Sequence, residues 1–503
     1  MSTTAEGTVP DVKPRREPAD IGVAAPSAAS TGLRGVLGSS PFPILLVSVV
    51  GVLLLTVFGP ALVVGDTWLT LMAGREVVEQ GLPTTETLTL LGAGATWTDQ
   101  QWLAQVLVYG VHELAGLRGV VVLDVLLVVA ALGLALSAAR STGATSRSTF
   151  LVGVLAVLAG PWGWTIRAQT AALPLFAGVL WLLLDGARRG ARGRTLLVLP
   201  ALVVWANLHG SVVLGASLTM LFGAYELVRT RRLGVLPLTL FVLAPLCVLA
   251  TPYGWDIVAY YDLMLIDAPF AEILREWQWS SPAATTALFY VLAAVSIALV
   301  AIGRCRRRLG VFELVVLGVT LLGAVQAVRG VIWFALAAAA ILPRALDGLL
   351  ARPDRDAPGV NRVISVVALL ALTVAVVVTL VRPASWFSSE WPERQVQGVR
   401  AATRAPDTRL WATDGTADWL LWRIPDLRGR LAFDVRFELY DEGALDDLVA
   451  YGKRTPGWER IVDDYDVVVV DDRDHLRGLT ARGLEPVFRD PTIVVLRQPR
   501  ADG

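Results

Sequence analysis

Long apolar runs separated by short polar connections fill most of the chain. A helix that crosses a bilayer needs about 17–25 mostly apolar residues. Eleven runs fit that description: 41–64, 117–139, 148–165, 169–185, 195–208, 211–228, 233–250, 285–303, 309–327, 330–349 and 363–381. The run 195–208 is short and contains Pro200, so it is expected to tilt little or to end inside protein. Segment 102–114 is apolar but shorter still, and is expected to be an interfacial or re-entrant helix. If it spanned, every later orientation would invert.

Arginine placement orients the runs. With the N-terminus on the cytoplasmic side, the inner connections carry 17 arginines and the outer ones carry five: Arg75, Arg118, Arg167, Arg275 and Arg329. Cytoplasmic loops are enriched in Lys and Arg, so the predicted topology is eleven spans, N-terminus in and C-terminus out. The polar motifs then gather outside: Asp66, the Trp97–Gln105 stretch, 162–169, 205–210, Thr251–Asp256, Glu272–Trp279 and Arg329. The inner connections are short, Arg-rich and nearly free of aromatics.

Composition agrees. Of 503 residues, 54% are hydrophobic and only 17% charged, against roughly 25% charged in soluble domains. The expected fold class is therefore an α-helical polytopic membrane protein with a small C-terminal extracytoplasmic α/β domain. Residues 1–40 read as a disordered cytoplasmic tail, 41–383 as the multi-pass domain with an outer loop at 65–116, and 384–503 as the α/β domain. In that last part, 465–471 is a continuous β-branched run typical of a strand buried on both faces. Arg409–Thr413 and Arg430–Phe433 read as strands, 486–489 with 493–497 as a hairpin, and the whole is expected to fold alone. Asp471 and Asp472 end the buried strand, as site residues or as turn and cap residues. Net charge is zero, so nucleic acid is not an expected partner. Cys247 and Cys305 have no metal-ligand spacing, and no metal or other cofactor is expected.

The candidate chemistry begins with Asp66, at the mouth of the first span. A charge at the edge of hydrocarbon is costly unless it faces protein or water. Arg167 and Arg329 end outer connections, and a guanidinium fork suits phosphate; each also fits simple snorkelling to lipid headgroups. With His209 they could hold an anionic lipid-linked headgroup, and Asp66 could deprotonate an acceptor hydroxyl. Trp68, Trp97 and Trp102 could stack on sugar faces or line a lipid groove. Gln101, Gln105, Gln169, Asn207, Tyr253 and Glu276 join the binding candidates because they fall on the same outer side.

An Asp just after the first span, an amphipathic outer-loop helix, about a dozen spans and an outer C-terminal domain resemble the GT-C glycosyltransferase superfamily. The likeness is to its bacterial branch related to protein mannosyltransferases and arabinose transferases. Trp97–Gln105, 205–210, 251–254, 418–423 and Asp434–Tyr440 also look like stretches of a wider group of bacterial membrane proteins placed near it. The resemblance implies transfer of a sugar from a polyprenyl-phosphate-linked donor to an acceptor glycan, lipid or protein outside the cytoplasmic membrane, with Asp66 as the catalytic acidic residue. It departs at Thr67 and Trp68, where many such enzymes carry a second acid, and no DxD-type pair supports a metal. The competing expectation is a non-catalytic membrane protein that binds or moves lipid-linked glycan or scaffolds the envelope.

Overall fold

The structure is a computed structural model that describes residues 37–266, 268–350 and 357–499. The tail expected at 1–40 lies almost wholly outside the described residues. Each expected span contains an apolar helix: Pro41–Thr56, the part of Trp102–Ser141 beyond Gly116, Ser146–Ala159, Leu173–Arg189, Val198–Leu208, Val212–Thr230, Val235–Cys247, Ala287–Ala301, Val311–Gln326, Val331–Leu346 and Pro358–Val381. By length and composition, five helical stretches among the described residues can cross a membrane unaided. On the helix Pro358–Val381, Val363, Val367, Leu370, Val374 and Val377 recur at helical spacing, each more than half exposed. A continuous apolar face of that kind belongs against lipid, and the chain is a multi-pass membrane protein.

Contacts sort the helix ends into two sets. At one end, Asn361 donates to the Gly38 carbonyl at 2.8 Å and Arg140 to the Ser40 hydroxyl at 3.1 Å. There too, Arg188 pairs with Glu313, and Asp347 accepts from the Thr145 N–H at 2.8 Å and the Ser148 hydroxyl at 2.6 Å. At the other end, the Thr67 hydroxyl donates to the Ile166 carbonyl at 3.1 Å, Asn207 to Ala250 at 2.8 Å and the Val328 N–H to Gln278 at 3.2 Å. The described Arg-rich turns fall in the first set and the polar motifs in the second.

Segment 102–115 turns out to be helical and runs into the next span through Gly116, whose φ of 64° breaks the helix. That left-handed conformation is easy for glycine and costly for other residues. The segment packs along the helix Gly65–Gln80, where a Cβ on Gly74 would come within 2.3 Å of the Gln105 carbonyl oxygen. Both helices meet the C-terminal part. Arg75 donates to the Leu421 and Trp422 carbonyls at 3.3 Å, and the His112 ring meets Trp422 edge-on at 5.1 Å.

The C-terminal part holds a four-stranded sheet in the order β1 (Leu410–Trp411), β2 (Val467–Val470), β4 (Val494–Arg497), β3 (Glu485–Arg489). β1 and β2 are parallel, whereas β4 runs antiparallel to both β2 and β3. All four residues of β2 are buried, as its unbroken β-branched run predicts. The segment expected as a strand at 430–433 forms a bridging rung instead. Leu431 pairs with Leu410 on one side and with outer-loop Thr89 on the other. The backbone bonds Leu90 N–H to Leu431 O (2.8 Å) and Leu91 N–H to Ala432 O (3.0 Å) carry the sheet onward into the outer loop.

Residues 384–503 also pack closely against segment 65–116. Gly65 and Gly415 touch so closely that a Cβ on Gly65 would lie 2.8 Å from the Gly415 Cα. Buried Arg436 binds Asp434 at 3.0 Å and outer-loop Glu86 at 2.6 Å, while Glu86 also accepts from the Leu88 and Thr89 N–H groups. Removing one partner of a buried ion pair costs about 3–5 kcal/mol; Asp434 would still hold Arg436, so Glu86→Ala is expected to cost about 3 kcal/mol. Thermal unfolding of the purified protein should show a clear drop in Tm. An unchanged Tm would contradict the joint packing of outer loop and C-terminal sheet.

Candidate functional site

Asp66 occupies the first turn of the helix Gly65–Gln80, where the positive end of the helix dipole favours a carboxylate. Thr67 fixes that turn: its hydroxyl accepts from the Val64 N–H at 3.0 Å and donates to Ile166, in the connection that carries Arg167. The Arg167 Nε lies 2.8 Å from the Asp66 carboxylate and 3.2 Å from the Thr165 hydroxyl. Its Nη1 donates to Glu276. Arg167 thus joins the helix after the first span, its own connection and the loop before the span at 287.

Beside this chain of charges opens a cavity of about 120 Å³, well above the roughly 10–15 Å³ that one water needs. Seven of the residues singled out from the sequence line it: Asp66, Gln101, Arg167, Gln169, His209, Glu276 and Arg329. They come from separate connections that the helix bundle brings to one end. The Arg329 guanidinium stacks 4.2 Å from the centre of the Trp277 ring and, among the described residues, forms no ion pair. A second cavity, of about 260 Å³, lies beyond the Arg167–Glu276 pair, which lines both.

Six of the sequence candidates, Trp68, Trp97, Trp102, Gln105, Asn207 and Tyr253, lie outside the first cavity. Trp68 is buried, with its ring edge-on to Trp391 at 5.8 Å. Trp97 is buried beneath Arg436, whose guanidinium sits 4.2 Å from the ring centre. Gln105 donates to Asp99 at 3.0 Å inside the outer loop. Asn207 accepts from the Trp102 ring N–H at 3.0 Å and donates to the Val203 and Ala250 carbonyls, so it ties helix ends together. The Tyr253 hydroxyl donates to the Pro83 carbonyl at 3.0 Å. The aromatic rings that do line the cavity are Tyr260, Phe270 and Trp277.

The sequence reading did not select Thr70, Gln100, Tyr260, Arg436 or Glu438, which also line the cavity. The Asp434–Tyr440 stretch held the signal. Its charges at 434, 436 and 438 alternate with Val435, Phe437 and Leu439, a pattern that sends Phe437 and Leu439 inward and leaves charges to organise the turn.

Electrostatics separate the roles. Burial lifts the Asp66 carboxyl above its ordinary value; Arg167 and Arg329 pull it back, while Glu276 adds to the rise. Burial also tends to lift the Glu276 carboxyl, but Arg167 and Arg329 together bring it below its ordinary value. Burial, then Arg329 and Arg167, push His209 down to about 3, so it is neutral. The Ser211 N–H donates to its Nδ1 at 3.1 Å, which assigns the ring proton to Nε2 and leaves His209 one donor. Arg167, expected to grip a headgroup, spends its Nε and Nη1 on Asp66, Thr165 and Glu276. Among the described residues no group of His, Cys, Asp and Glu has a metal-holding arrangement.

Bundled apolar helices with a mixed α/β C-terminal part packed at one end form a GT-C-like fold. ArnT from Cupriavidus metallidurans bound to undecaprenyl phosphate matches with a TM-score of 0.51 at 16% identity, over 91% of this chain and 98% of its own. The same protein in the apo state gives 0.49 at 16% identity over 86% and 94%, and the apo oligosaccharyltransferase of Archaeoglobus fulgidus gives 0.48 at 11% over 86% and 69%. The first match carries the fold, and at this identity it carries the fold alone. No family model and no curated protein matches the sequence.

Arg167 opposes the rise that burial gives the Asp66 carboxyl, so removing it has a sign. In Arg167→Ala the opposing cation is lost and Glu276 remains, so the Asp66 carboxyl should protonate at a higher pH than in the wild type. An infrared titration of the carboxyl band, assigned by its loss in Asp66→Asn, reads this directly. An unmoved titration would contradict the coupling.

Proposed function

We propose that the protein transfers a sugar from a polyprenyl-phosphate-linked donor to an acceptor on the outer side of the cytoplasmic membrane. One observation carries the reading: Asp66, Arg329 and His209 line a single cavity at the end of the bundle opposite the Arg-rich turns. By the arginine bias that end is extracytoplasmic. The tail 1–40 is then cytoplasmic, and the outer loop 65–116 and residues 384–503 are extracytoplasmic. The bound undecaprenyl phosphate of the ArnT structure is a precedent for a lipid phosphate in this fold.

In this reading the free donors of Arg329 and the Nε2–H of neutral His209 take the donor phosphate. Asp66 removes the proton of the acceptor hydroxyl as its oxygen attacks the anomeric carbon. The bond from that carbon to the phosphate oxygen breaks, and polyprenyl phosphate leaves with the electron pair. Arg167, held by Glu276, orients the carboxylate. Because Asp66 acts ionised, turnover is lost as pH falls through its raised value, so the acid limb lies above that of an ordinary aspartate. Gln101 and Gln169 supply amide contacts within the cavity. The buried Trp68, Trp97 and Gln105 and the half-buried Asn207 and Tyr253 support the site through packing.

A positioned general base contributes about 10²–10⁴-fold in rate. Asp66→Asn preserves shape and cannot accept the proton, so it should leave abundance near wild type and abolish most turnover. If Asp66 only capped its helix, Asn would serve as well and Asp66→Asn would be silent. Complementation of a strain lacking the protein separates these outcomes. Full rescue by Asp66→Asn would sink the catalytic reading and favour a binding or scaffold role.

A further inference from the structure

Nearly every charge around the cavity is matched by a neighbour. Asp66 and Glu276 share Arg167, and Arg436 is bound by Asp434 and Glu86. Two charges facing the same space are exceptions. Arg329 has only the Trp277 face, and Glu438, among the described residues, joins no ion pair. They are close enough to feel each other's field but do not pair across the cavity. A third group lies with them: the Gln100 side-chain oxygen, in a residue only 6% exposed, accepts no hydrogen bond among the described residues, while the Gln100 amide faces the Tyr260 hydroxyl. Buried acceptors are rarely left without a donor.

The polar groups that line the cavity therefore include both hydrogen-bonding senses. Arg329 and the His209 Nε2 are donors, suited to a phosphate. The Glu438 carboxylate and the Gln100 oxygen are acceptors, suited to hydroxyl groups. We infer that Glu438 and Gln100 form the subsite for the donor's sugar ring, accepting hydrogen bonds from its hydroxyls while Arg329 and His209 hold its phosphate. The inference rests on the donor reading above and assigns the C-terminal part the task of reading the sugar.

The backbone around Glu438 suits that task. It lies in a single turn, Phe437–Leu439, between two buried side chains. Just before it, the Arg436 N–H donates to Asp434 at 2.9 Å. Just after it, the Tyr440 hydroxyl accepts from the Asp434 N–H at 2.8 Å. Anchored on both sides, Glu438 is held at a fixed place on the wall, as a selective contact requires. Burial lifts its carboxyl to about 7. Hydroxyl donors from a ligand would replace the water that burial removes.

The test is a pair of affinities, measured on the full-length protein in nanodiscs. One probe is undecaprenyl phosphate; the others are its glucosyl, mannosyl, galactosyl and arabinosyl esters. Wild type should bind at least one ester more tightly than the bare phosphate. A hydrogen bond to a charged group is strong enough that losing it should lower that ester's affinity roughly tenfold. Glu438→Gln should therefore collapse the ratio of ester to bare-phosphate affinity. Gln100→Ala should lower it in the same direction. Bare-phosphate binding by each variant reports that it is folded, and Glu438→Asp, which keeps the charge, should retain part of the ratio. A ratio unchanged in Glu438→Gln, or a wild type that binds every ester no better than the phosphate, would overturn the sugar subsite and leave the phosphate reading intact. Wild type binding neither kind of probe would overturn both.

Discussion

Arg167 is the constraint around which the polar end of the bundle is arranged. One guanidinium, in the tight connection between two apolar helices, holds Asp66 on one side and Glu276 on the other. Two carboxylates so close would repel each other and take up protons without it. With it, three segments distant in sequence keep a fixed relation, and the rise that burial gives the Asp66 carboxyl is opposed. Because Nε and Nη1 are spent on that task, the demand for a cation open to a ligand passes to Arg329, backed by the Trp277 ring.

The second layer is the union of outer loop and C-terminal sheet. Thr89, Leu431 and Leu410 continue one ladder, and Arg436 is clamped between Asp434 and Glu86. The same clamp sets the turn that carries Glu438 to the cavity. The helix connections thus bring the donors Arg329 and His209 to the cavity, the C-terminal part brings Glu438 and the loop before Trp102 brings Gln100. A lipid phosphate bearing a sugar can match both the donors and the acceptors.

Much of this architecture can be read along the chain. The apolar runs mark the helices, the β-branched run at 465–471 marks the central strand, and Asp66, Arg167, His209 and Arg329 are marked by being polar at the ends of apolar runs. What the sequence hides is partnership. The tryptophans at 68 and 97 look available for stacking, but helix and loop packing buries them. His209 shows in the sequence as a polar residue in a tight connection, but not that burial between two arginines makes it neutral. The change in composition marks residues 384–503, but not that Arg436 and Glu86 meet across 350 positions. Local pattern reports which side of a helix or strand is apolar; it does not report which distant segment covers it.

The central claim is that the cavity beside Asp66 receives a lipid phosphate on Arg329 and His209. Its most direct test is an experimental structure of the protein in nanodiscs with undecaprenyl phosphate. The account predicts phosphate density within hydrogen-bond distance of the Arg329 guanidinium and the His209 Nε2, with the Asp66–Arg167 contact kept. Phosphate bound at the Arg-rich end of the bundle, or density elsewhere with this cavity unchanged, would contradict it.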